Sequence, residues 1–245
     1  MLELLDWLVM KMGNRKKIIL FIVEGINDKT NLALCLSQLL EGDQIHFEIT
    51  DGDITTKLGV SATNIAAKIG DIVKKHSGKV FKQNDYLEVV HLVDMDGAYI
   101  PDERVIEAEI DGLIYNDDEI HCKDAISIIK RNHQKQEVIN RMLMITKVWT
   151  SIPYSVYYFS CNMDHVLHNK ANLSQKEKNM YAQKFEDKYI NKPKEFASFF
   201  NDDKLNVGTA YKESWDFIRL DANSLKRKTN FYLYIQEKVS QTMCQ

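Results

Sequence analysis

The sequence predicts an α/β fold: a mostly parallel four-stranded sheet with helices on both faces, a helical insertion and a helical C-terminal part. Three observations predict it. The runs Ile18-Ile19-Leu20-Phe21-Ile22-Val23 and Val89-Val90-His91-Leu92-Val93 have the composition of strands buried on both faces. Between them lie two segments of helical period separated by an alternating strand. The resulting order, β-α-β-α-β, is that of parallel strands joined by right-handed crossovers. Each apolar run also ends in acid and then glycine: Glu24-Gly25 after the first, Asp94-Met95-Asp96-Gly97 after the other.

Taken in order, residues 1–15 contain Leu4, Leu5, Leu8 and Val9 at helical spacing, interrupted by Glu3 and Asp6. They read as a short amphipathic helix packed on the protein or on a partner. The stretch is too short to span a bilayer and lacks the basic start of a signal peptide. Residues 17–23 are the first strand. Asn27 or Asp28 caps a helix over about 28–41 with Leu32, Leu34, Leu36, Leu39 and Leu40 on its apolar stripe. Ile45-His46-Phe47-Glu48-Ile49 alternates and reads as a less buried strand, ending in Thr50-Asp51-Gly52-Asp53. Ser61 or Thr63 starts a helix over about 62–76, and the third strand covers 86–93, with His91 as a hydrogen-bonded core histidine.

After Asp96 the period is lost. Residues 98–150 read as the insertion: an irregular part with a short helix near 103–109, then a long helix over 124–147. A fourth strand, Tyr154-Ser155-Val156-Tyr157-Tyr158-Phe159, follows Pro153 and is rich in aromatic and β-branched residues. Those aromatics are core in the first instance, with base stacking as the functional alternative. The α/β domain therefore spans 16–160. Residues 161–245 read as helical, over about 175–190, 193–201, 209–220 and 223–238.

The composition, 44% hydrophobic and 27% charged over 245 residues, is that of a folded globular chain, and 3 prolines leave little room for linkers. Cys35, Cys122, Cys161 and Cys244 show no paired spacing, so they read as reduced thiols of a cytoplasmic protein. No membrane association is expected. The net charge of −3 divides into −7 over residues 1–164 and +4 over 165–245, so a polyanion would meet the C-terminal part more easily. Lys130 and Arg131 on the long helix, and Lys226-Arg227-Lys228, are candidate phosphate contacts; solvated helix faces are the alternative reading.

Chemistry is expected at the carboxyl ends of the strands, which share one edge in a parallel sheet. Glu24, Asp94 and Asp96 would meet there. Asp94 and Asp96, two apart on extended backbone, would point the same way. Such acids repel one another when desolvated, and a hard, oxygen-preferring cation such as Mg²⁺ resolves the repulsion. Asp164, beyond the fourth strand, is either a further acid at this point or a first-turn residue of a helix capped by Asn162. Cys161, His165 and His168 lack an evident fourth ligand for zinc.

Val23-Glu24-Gly25-Ile26-Asn27-Asp28 followed by Asp94-Met95-Asp96-Gly97 resembles the Toprim domain of topoisomerases, primases and OLD-family nucleases. The resemblance covers about residues 16–100 and the strand at 154–159. It implies Glu24 as general acid/base or metal ligand, Asp94 and Asp96 as ligands of Mg²⁺ or Mn²⁺, and Asp28 as an acid behind the metal or on a second one. Gly52 lies where such domains often carry a small residue, whereas Gly97 sits closer to the second Asp than the family's later glycine. The chain is too short for the further catalytic domains of topoisomerases or primases. It looks more like a Toprim nuclease of phage-defence systems: a metal-dependent endonuclease acting on DNA or RNA. It has no GxxxxGK[ST] loop, so an ATPase of the OLD kind would be a separate partner, and a homo-oligomer is also open. The alternative is a non-catalytic module that regulates such a partner. A phosphatase with an Asp nucleophile after the first strand is disfavoured, because Glu24 stands at that place.

Overall fold

A computed structural model describes residues 16–243; the amphipathic helix expected over 1–15 lies outside the described residues. The chain is α/β, with a mixed main sheet built on four parallel strands. These are β1 (Ile18–Val23), β2 (Gln44–Ile49), β3 (Tyr86–Asp94) and β8 (Ile152–Ser160), in the order β2-β1-β3-β8. Two short antiparallel strands that the sequence did not announce extend it to six. Here β7 (Lys147–Val148) pairs with the start of β8, and β9 (Lys228–Thr229) with its end.

The sheet divides two cores, and β1 shows how. All six of its residues are buried. Ile19, Phe21 and Val23 face one layer, formed by α1 (Ile26–Leu39), α4 (Met163–His168), α5 (Gln175–Tyr189), α6 (Pro193–Phe200) and α8 (Phe231–Met243). Ile18, Leu20 and Ile22 face the other, formed by α2 (Ile65–Ser77), α3 (Ala125–Met142) and α7 (Tyr211–Ile218). This double burial makes β1 a continuous apolar run in sequence. His91, also in the sheet interior, is 2.9 Å from the Tyr154 hydroxyl, as a buried imidazole requires. Tyr154, Tyr157, Tyr158 and Phe159 are buried in the two cores, so they are not placed to stack bases.

The insertion is not wholly helical. A 3₁₀ turn over Asp102–Arg104 stands where a short helix was expected, followed by β4 (Val105–Glu107), β5 (Leu113–Tyr115) and β6 (Ile120–Cys122). They form a small sheet in the order β4-β6-β5. With three residues apiece, these strands have no period to read. Ile100, Val105, Ile120, Cys122, Cys161 and Leu225 make a third core beneath it. The backbone comes close here at Gly97, where φ is +67° and a Cβ would lie 2.7 Å from Leu225 Cδ2.

The last predicted helix is also divided. Residues 223–225 form a 3₁₀ turn, 228–229 form β9, and α8 starts at Phe231. Side-chain bonds to the Tyr158 backbone account for the break. Thr229 Oγ1 donates to Tyr158 O at 2.6 Å, and the Tyr158 amide donates to Asn230 Oδ1 at 2.8 Å. Lys226-Arg227-Lys228 therefore does not open a helix.

Candidate active site

Glu24 follows β1 directly and Asp94 ends β3, the neighbouring parallel strand. The Asp94 amide donates to Glu24 Oε1 at 3.3 Å. Asp94 Oδ1 in turn accepts from the Met163 amide at the start of α4, at 2.8 Å. Both carboxylates are thus oriented by backbone groups. Among the described residues, Glu24 Oε2 and Asp94 Oδ2 take no hydrogen bond. Burial pushes the Glu24 carboxyl well above its usual range; Asp53, Asp96 and Asp28 add repulsion, while Lys135 opposes it. Burial does the same to Asp94, with repulsion from Glu24, Asp28 and Asp96.

Asp28 does not cap α1 with its own backbone. The N-cap is Gly25, in extended conformation, and Asp28 sits in the first turn with Oδ2 accepting from the Gly25 amide at 2.8 Å. The Glu-Gly-x-x-Asp spacing therefore folds Asp28 back beside Glu24. Its carboxyl is pushed up to about 6 by burial, with the Gly25 amide opposing and Asp164 adding repulsion.

Asp96 departs from expectation. Its φ is +49°, so the chain leaves the extended path after Asp94 and the two carboxylates do not point the same way. Asp96 Oδ2 lies 2.7 Å from Lys135 Nζ, and Oδ1 accepts from the Tyr115 hydroxyl at 3.2 Å. Lys135, on α3, has no solvent-exposed side-chain surface and makes a second ion pair, 2.8 Å to Asp53 Oδ2. Asp53 Oδ1 accepts from the Thr55 amide and hydroxyl at 2.8 and 2.6 Å. Burial works to raise the Asp53 carboxyl, but Lys135 and the Thr55 donors outweigh it and hold it below the usual range. Burial likewise works against the Lys135 cation, and Asp96, Asp53 and Glu24 more than reverse that.

Asp53 and Tyr115 were missed from sequence, and Lys135 was legible only as one basic residue of a helix face that could meet phosphates. Asp53 carried a signal: it ends the turn after β2, as Glu24 ends β1. Lys135 carried one too, since it precedes Val138, Ile139 and Met142 by helical spacing, which puts it on the buried stripe of α3. From sequence, Ile126, Ile129, Val138, Met142 and Ile145 mark the apolar side of this helix, yet Ile126 is exposed. Tyr115, in a three-residue strand, carried none.

The remaining candidates divide. Asn162 Oδ1 accepts from the His165 amide at 2.9 Å and caps α4, while Asp164 is buried and pairs with Lys178 at 3.2 Å. Arg131 Nη2 donates to Asp96 O at 2.8 Å and Nη1 to the Tyr115 hydroxyl at 3.2 Å, so it braces the acid turn. Arg227 donates to the carbonyls of His165 and Val166, each at 3.0 Å from Nε, and Lys228 to those of Asp203 and Asn206. Those two side chains are occupied by the ends of structural segments. Lys130 and Lys226 are exposed.

Part of this donor set suits a divalent cation. Glu24 and Asp94 fit in chemistry, each with an undonated carboxylate oxygen beside like charge. Magnesium is commonly held by one or two carboxylates completed by water and substrate oxygens. Asp96 does not fit as a ligand, because Lys135 and Tyr115 take its oxygens. Accordingly, no three His, Cys, Asp or Glu side chains among the described residues stand ready around one point. The Cys161, His165 and His168 alternative fails too: burial keeps Cys161 a thiol, and the His168 ring stacks on Tyr181.

Comparison with family models, with curated proteins and with solved structures returns no match. No helix among the described residues is long and apolar enough to cross a membrane.

Proposed function

We propose that the chain is a metal-dependent nuclease, hydrolysing phosphodiester bonds of DNA or RNA at the edge where β1 and β3 end, and that its α/β core is Toprim-like. One observation carries the reading: Glu24 and Asp94 are joined through a backbone amide, half-buried side by side, and each keeps an oxygen that takes no donor among the described residues. Buried like charges are retained at a cost, and such groups cluster at functional sites. A bound Mg²⁺ or Mn²⁺ would polarise a phosphoryl oxygen and acidify a water. Glu24 and Asp94 would hold that ion through their undonated oxygens. Met163 and Asp94 amides fix their orientation. Asp28, at about 6, can hold or release a proton near neutral pH. Arg131 keeps the Asp96 turn in place, and Lys130 and Lys226 are the exposed cations available to a phosphate backbone. The phage-defence setting and a separate ATPase partner follow from the motif resemblance alone.

The deciding experiment offers supercoiled, linear and single-stranded DNA and total tRNA to the purified protein with Mg²⁺, Mn²⁺ or EDTA, beside Glu24→Gln and Asp94→Asn. Metal-dependent cleavage lost in both variants supports the nuclease. The second reading, a non-catalytic regulator, is favoured by the lysine already neutralising Asp53 and Asp96. It takes over if the protein neither cleaves nor binds metal.

A further inference from the structure

We propose that this centre takes one divalent cation, not two, with the ε-ammonium of Lys135 standing in the place of the second. The inference rests on the nuclease reading and goes beyond it, because carboxylate clusters of this kind invite a pair of ions about 4 Å apart.

The carboxylates fall into two sets. Asp53 is saturated, and Asp96 is engaged at both oxygens. Asp53 Oδ1 has the Thr55 amide and hydroxyl, and its Oδ2 has Lys135 at 2.8 Å and the Thr56 hydroxyl at 3.1 Å. Asp96 Oδ1 has the Tyr115 hydroxyl, and its Oδ2 has Lys135 at 2.7 Å. All four oxygens are spoken for. Glu24 and Asp94 form the other set, each with one oxygen bonded to an amide and one that takes no hydrogen bond among the described residues.

Lys135 has no route out. Its side chain has no exposed surface, and Val138, Ile139 and Met142 anchor the same face of α3 in the core. Neighbouring residues pin the helix to both acidic loops. Gln134 Nε2 donates to Thr55 O and Val60 O at 3.2 and 3.3 Å, and Gln136 Nε2 donates to Ala98 O at 2.6 Å. Lys178 on the opposite flank differs: its side chain is 38% exposed and has one acidic partner, Asp164. A mobile lysine can yield to a metal; a buried one with two carboxylates cannot without moving a helix. A second divalent ion at Asp53 and Asp96 would therefore meet a fixed positive charge and no carboxylate oxygen without a donor. The ammonium supplies that charge permanently, preorganised as electrostatic stabilisation requires.

The test counts ions. The purified full chain is titrated with Mn²⁺, and bound ions are counted by calorimetry and by the electron paramagnetic resonance signal of free Mn²⁺. One tight ion per chain is expected. Asp94→Asn should weaken it by more than the roughly 10–100-fold typical of losing an outer partner of a metal. Asp96→Asn, which keeps one acceptor oxygen for Lys135, should weaken it by less than about fivefold. Two ions in the wild type, or equal losses in the two variants, overturn the inference and leave the nuclease standing. No ion at all overturns both. The count uses the unaltered protein, so it does not depend on any variant folding.

Discussion

The amide of Asp94 donates to Oε1 of Glu24 across 3.3 Å, so the ends of two parallel strands are tied through a carboxylate that the site also needs. Binding and architecture meet in one side chain, and substitutions there act on both.

Glu24→Gln should separate them. Glutamine keeps an oxygen for the Asp94 amide and removes a charge that burial and Asp53, Asp96 and Asp28 disfavour. Near pH 8, without metal, the variant should melt higher than the wild type, by about 2–4 °C for each kcal/mol relieved in a chain of this size. Its metal binding and cleavage should be lost. A lower melting temperature in metal-free buffer would show that the acid is stabilising as a charge.

Asp28 sets a pH dependence. Its folded-state carboxyl lies at about 6, above the ordinary value of 3.8, so the folded state holds the proton more tightly than the unfolded chain. The stability this contributes is complete below about pH 4 and is lost as pH rises through about 6. Denaturant titrations of wild type and Asp28→Asn across pH 4–7 should differ by a slope of that sign. Asparagine keeps the acceptor for the Gly25 amide, so the difference reports the charge alone. Parallel curves would refute it.

Lys135→Met should cost about 3–5 kcal/mol, the usual price of leaving buried carboxylates without their cation. Adding Asp96→Asn to that variant should return part of the loss, a coupling that a double-mutant cycle reads directly. Additive effects would mean that the pair contributes nothing as a pair.

The basic run near the C-terminus should split by residue. Arg227→Gln removes donors to the last carbonyls of α4 and should destabilise the fold by about 1–2 kcal/mol. Lys226→Gln should leave stability unchanged and lower the slope of log affinity against log salt for nucleic acid by about 1. Equal stability of both variants would remove the structural role given to Arg227.

How far the sequence reached follows from what each residue does. β1 and β3 were legible because burial on both faces leaves a nearly continuous apolar run, β8 because it is rich in aromatic and β-branched residues, and strand-end acids mark the edge that β1 and β3 share. The left-handed turn at Asp96 was not, since an aspartate at φ +49° looks like any other in sequence. The small sheet failed for want of length. The break before α8 failed because Thr229 and Asn230 act through the backbone of Tyr158, 72 residues from Asn230, a partner no local window contains. Lys135 shows the remaining limit: helical period placed it inward, but its two acids come from separate loops.

The short strands flanking β8 have a consequence for assembly. β7 covers the start of one side and β9 the end, and each is two residues long. At the opposite margin β2 pairs, among the described residues, with β1 alone, over six residues. Within the described residues the sheet is therefore finished at one border and open at the other. A strand arriving from another chain finds a full-length template along Gln44–Ile49 and almost none elsewhere, so any growth of this sheet has a single direction.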